Sequence, residues 1–112
     1  MQLLVLILKQ MDRMNELIRT LAESGVKGGT ILEGTGMAES LVNMEDLPIF
    51  GALRRMLSDE EREPSQVMLF VLKDEQAIMT RQVVKKVVGD LSGPNTGIMF
   101  SIPITYVEGL GE

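Results

Sequence analysis

Leu3-Leu4-Val5-Leu6-Ile7-Leu8-Lys9 is apolar on successive residues and then stops at a cation. A strand with one wet face alternates polar and apolar side chains, so an unbroken run predicts a strand buried on both faces. The run is far shorter than the roughly 20 apolar residues that cross a bilayer. Its first basic residue follows it, and no cleavage-site pattern comes after, so it reads as a strand of a cytoplasmic protein rather than a leader or a membrane span. Val67-Met68-Leu69-Phe70-Val71-Leu72-Lys73 repeats the arrangement later in the chain. Two such strands, each followed by a cation and then a helical pattern, set the frame of the fold.

After the first strand, Asp12 is a candidate N-cap, with Met14, Leu17, Ile18 and Leu21 at helical spacing and Gly25 placed for a C-terminal cap. Gly28 to Gly34 reads as a second strand with glycine at each end. A long middle segment, 37–65, follows. Within it Asp46-Leu47-Pro48 resembles a helix start, and Ile49, Leu53, Met56 and Leu57 form a short amphipathic stripe. The acidic stretch Ser58 to Pro64 reads as exposed loop. After the third strand, Asp74 is the expected cap of a second long helix with Ala77, Val84, Val87 and Val88 inward. Gly89, Gly93, Pro94 and Gly97 mark a loop. Ile98 to Ile102 is the fourth strand, ended by Pro103, which cannot donate to a ladder. From Thr105 the tail either adds a short strand or trails off.

The order is βαβ, an excursion, then βαβ. That predicts an α+β, ferredoxin-like sandwich: a four-stranded antiparallel sheet, two helices on one face, and a long helical excursion between strands two and three. The 112 residues fit one domain, 1–112. With both helices on one face, the other face is bare, and strands that hardly alternate need something dry against it. Either further copies of the chain cover it, or the middle segment folds back over it.

Composition narrows the chemistry. The net charge of -5 argues against nucleic acid, whose binding is driven by Lys and Arg displacing counterions. There is no Cys and no His. Thiol nucleophiles, imidazole bases, Cys/His zinc sites and a Ser-His-Asp triad are therefore excluded. No nucleophile elbow or phosphate loop is present, so a non-enzymatic role is expected. The acidic run around Asp59 to Glu63 lacks the spaced ligands of a calcium loop.

Gly25-Val26-Lys27-Gly28-Gly29-Thr30-Ile31-Leu32-Glu33-Gly34-Thr35-Gly36 resembles the helix-one to strand-two segment of PII signal-transduction proteins, whose pattern is like G-[IV]-x-G-x-T-x-x-E-x-x-G. Gly97-Ile98-Met99-Phe100-Ser101-Ile102-Pro103-Ile104 is similar to that family's G-K-I-F-V-x-P-V strand. The resemblance implies a PII-like domain that forms a homotrimer with its sheets facing inward. It also implies effector clefts between subunits, walled by the glycine-rich end of strand two and the loop before strand four. Carried over, Ile7, Thr30, Gly36, Met37 and Gly97 match the family's nucleotide cleft. The family's phosphate-gripping Lys falls on Ile98, and its two late Arg residues fall near Tyr106 and Glu108. A triphosphate without those cations is poorly compensated. This weighs against family-style ATP binding and leaves a less charged nucleotide or small metabolite, such as a nucleoside, a cyclic nucleotide or a small carboxylate. The segment 37–65 stands where the family contacts its partner protein. There Phe50, Leu53, Arg54 and Met56 form a candidate surface for an unidentified protein target. The family's modified tyrosine has no counterpart, since the one tyrosine is Tyr106.

Overall fold

The computed structural model describes residues 1–9, 11–37, 40, 64–93 and 96–110. In chain order these form β1 (Gln2–Leu8), a 3-10 turn (Met11–Arg13), α1 (Met14–Glu23), β2 (Gly29–Gly34), β3 (Ser65–Leu72), α2 (Asp74–Val88) and β4 (Gly97–Pro103). The expected helix around Asp46 to Leu57, and with it Phe50, Leu53, Arg54 and Met56, lies outside the described residues.

The twofold greasy run takes the place its composition demands. β1 is interior, paired antiparallel with β3 on one side and with β4 on the other, and β2 pairs antiparallel with the far side of β3. The sheet order is β2-β3-β1-β4. β1 and β2 therefore run parallel with β3 between them, and β3 and β4 run parallel with β1 between them. The result is an α+β architecture, a four-stranded antiparallel sheet with two helices, compatible with a ferredoxin-like arrangement.

Residues directly opposite in an antiparallel pair share a face, so the register assigns every side chain. Leu4 and Leu6 stand opposite Phe70 and Met68, and Leu8 and Leu72, opposite Gln66 and Gln2, share the same face. That face packs on Met14, Leu17 and Leu21 of α1 and on Ala77, Val83 and Val84 of α2 as one core. α1 closes into β2 through a Schellman motif. Gly25 takes φ +94° and donates to Ala22 O at 3.1 Å, while the Val26 N–H reaches Leu21 O at 2.9 Å. Val26 and Leu21 are both buried, supplying the apolar contact that accompanies this motif.

Four expectations need correction. Asp12 does not cap α1, because the chain enters through the 3-10 turn and places Arg13 at the cap position, with no side-chain bond. Asp74 is the first residue of α2 rather than its cap. Its carboxylate instead accepts from the Met1 ammonium and the Gln2 amide, both at 3.1 Å. Ile18 is 39% exposed, because it leans past the sheltered sheet centre toward Ile31 of the edge strand. On α2 the buried set also includes Val83 and Thr80, while Val87 and Val88 are only partly covered. Thr80 can be fully buried because its Oγ1 donates to Gln76 O at 2.7 Å. Beyond β4 the tail continues through Leu110 with no strand; Ile104 N–H donates to Met1 O at 3.0 Å.

Candidate functional site

The odd-numbered residues of β1 define the face away from the helices. Leu3, Val5 and Ile7 stand opposite Val71, Leu69 and Val67 of β3, and opposite Ile102, Phe100 and Ile98 of β4. From β2, Leu32 lies beside Val67 and Thr30 beside Leu69. Across all four strands this face is therefore apolar, with Thr30 the exception among these positions. The middle strands shelter one another, and Val5 is only 7% exposed. The flanking strands are open: Leu32 is 49% exposed, Ile98 55%, Phe100 42% and Ile102 48%. A continuous patch of this kind on a folded domain marks an interaction surface. Strands one and three were readable as greasy on both sides. β4 extends the same surface, and the spacing of Ile98, Phe100 and Ile102 carries that signal in the sequence.

Of the candidate cleft residues, Ile7 lies on interior β1, Gly97 on edge strand β4, Thr30 on edge strand β2, and Gly36 and Met37 just after β2. Leu8 pairs with Gly97 and with Gln66, and Ser65 pairs with Gly34, so the ends of β1 and β2 and the starts of β3 and β4 meet at one end. There Ile7 and Gly97 come together. Gly97 has φ +148°, and a Cβ on it would run into the carbonyl oxygen of Ile7 and lie 3.3 Å from Leu8 Cα. Close strand approach thus accounts for this glycine without any ligand. The loop entering it is tied down. Thr96 Oγ1 donates to Leu91 O and Gly93 O at 2.9 and 2.8 Å, and Lys9 N–H donates to Thr96 O at 3.1 Å. Earlier in that loop Asp90 accepts from Ser92 Oγ and Ser92 N–H at 2.7 and 3.0 Å, and these bonds hold its carboxyl below the ordinary carboxylate range.

Thr30 lies on the opposite edge strand, with Gly36 and Met37 just after it in the chain. Gly36 O accepts from the Ser40 N–H at 3.1 Å, and Met37 is 78% exposed. β2 and β4 are three strand spacings apart, about 14 Å. One protomer therefore brings Ile7 and Gly97 together, while Thr30 lies on the far edge strand from Gly97. The positions matching the family's cations carry other chemistry. Ile98 stands on the apolar face, and the Tyr106 hydroxyl donates to the Glu108 carboxylate, both residues exposed.

Among the described residues, one concavity of about 380 Å³ lies beside Lys85, Gly89, Asp90 and Leu91, and two more lie elsewhere. One, of about 220 Å³, sits at the other end of the sheet between Lys27, Lys73, Gln76 and Leu110. The second, of about 80 Å³, is an apolar groove between α1 and β2, lined by Ile18, Ile31 and Phe70. Among the described residues no cluster of three acidic side chains is close enough to hold a metal ion, and no helix is long and apolar enough to cross a membrane. No protein-family model and no curated protein matches the chain.

Proposed function

We propose that the chain is a non-enzymatic, PII-like signalling protein with a ferredoxin-like fold, working as a homotrimer in the cytoplasm. Its apolar sheet faces meet in the centre of the assembly. A small effector binds in clefts between subunits, where Ile7 and Gly97 of one copy face Thr30, Gly36 and Met37 of the next. Effector binding changes how the segment 37–65, through Phe50, Leu53, Arg54 and Met56, engages a partner protein. The observation that carries this reading is the apolar face, broken among the named positions at Thr30, with its open flanks on β2 and β4. The placement of Gly97 on one edge strand and Thr30 on the other supports it further, since a second copy can set one beside the other.

The test is isothermal titration of the purified protein against nucleosides, cyclic nucleotides, ATP and small carboxylates, with its mass in solution measured alongside. An assembly that binds a weakly charged ligand and takes up ATP poorly is expected. A 12.4 kDa monomer that binds none of them would remove the reading.

Ile98 and the Tyr106–Glu108 pair favour a second reading, in which the trimer serves protein interaction alone and nucleotide binding has been lost. An intact assembly whose melting temperature moves with no ligand, but which holds a stable protein partner, selects that version.

A further inference from the structure

We draw no further inference here: the strongest candidate, the cleft of about 220 Å³ at the end of the sheet where Lys27 and Lys73 meet the first turn of α2, rests on a helix N-terminus and two exposed lysines, with no second observation among the described residues that points to a ligand.

Discussion

A methyl group added at Gly25 would have open space around it, yet the backbone there holds φ +94°. An L-residue in that region costs about 1 kcal/mol relative to glycine. Gly28 also has nothing within 4 Å of an added Cβ, but its backbone lies outside the left-handed region. Gly25→Ala is therefore expected to lower unfolding stability by about 1 kcal/mol. Gly28→Ala is expected to leave it unchanged or raise it by about 0.5 kcal/mol, through lost freedom in the unfolded chain. Urea unfolding at matched protein concentration measures both, and equal effects would refute the assignment of the motif. Gly97 is a different case, with a left-handed backbone and a neighbouring strand in the way. Gly97→Ala is expected to cost about 2 kcal/mol or more by strain and strand separation, with or without a ligand. If the substitution instead abolished effector binding at unchanged stability, the glycine would serve the ligand and not the sheet.

α1 exposes how far a helical stripe can be trusted. Met14, Leu17, Ile18 and Leu21 share one periodicity, but the surface they must cover ends at β2, so Leu17 is fully buried while Ile18 overhangs the edge. Leu17→Ala is expected to cost about 3 kcal/mol, and Ile18→Ala about 1 kcal/mol, in thermal or urea unfolding. Comparable losses would mean that the overhanging residue is covered in solution. Strand positions were legible because apolar runs pair wherever they lie. β3 nonetheless starts at Ser65, two residues before the greasy run, because Ser65 and Gln66 pair with Gly34 and Glu33 of β2. Caps were less legible, since the cap position depends on which residue first turns helical, a choice of one or two positions that the pattern does not make. At the start of α2, Asp74 ties the helix to the beginning of β1. The hydrogen bond from the Met1 ammonium is the largest cause of its lowered pKa, with the Gln2 amide next. A carboxyl lowered in the folded state contributes stability above its unfolded pKa of about 3.9 and loses that contribution as pH falls through the lower folded value. The urea midpoints of the parent and Asp74→Asn should therefore differ at pH 6 and converge toward pH 2. A gap that stayed constant across that range would show that the carboxylate's charge is not involved.

The same register that organises the core creates the exposed apolar face, because side chains of β1 and β3 are greasy on both sides and two helices can cover only one of them. The sequence made this consequence legible at the scale of the whole molecule, while the separation of β4 from β2 by the width of the sheet depended on strand order, which no local pattern encodes. Leu32, Ile98, Phe100 and Ile102 are each about half exposed, and covering them returns about 1 kcal/mol apiece, so the face has a sizeable incentive to be buried. A charge on its open flank opposes that burial in any arrangement, since it must be desolvated without a partner. In the proposed homotrimer, Phe100→Glu is therefore expected to give a folded 12.4 kDa monomer in sedimentation at micromolar concentration, with its circular dichroism retained. Ile78→Glu provides the control. Ile78 is 49% exposed on α2, away from this face, and its substitution is expected to leave the mass unchanged. The two possible covers then separate cleanly. If copies of the chain cover the face, the parent is heavier than one protomer and Phe100→Glu alone dissociates it. If the chain's own middle segment covers it, the parent already sediments as one protomer and Phe100→Glu loses stability instead of mass, which would overturn the shared interior and the inter-subunit cleft together.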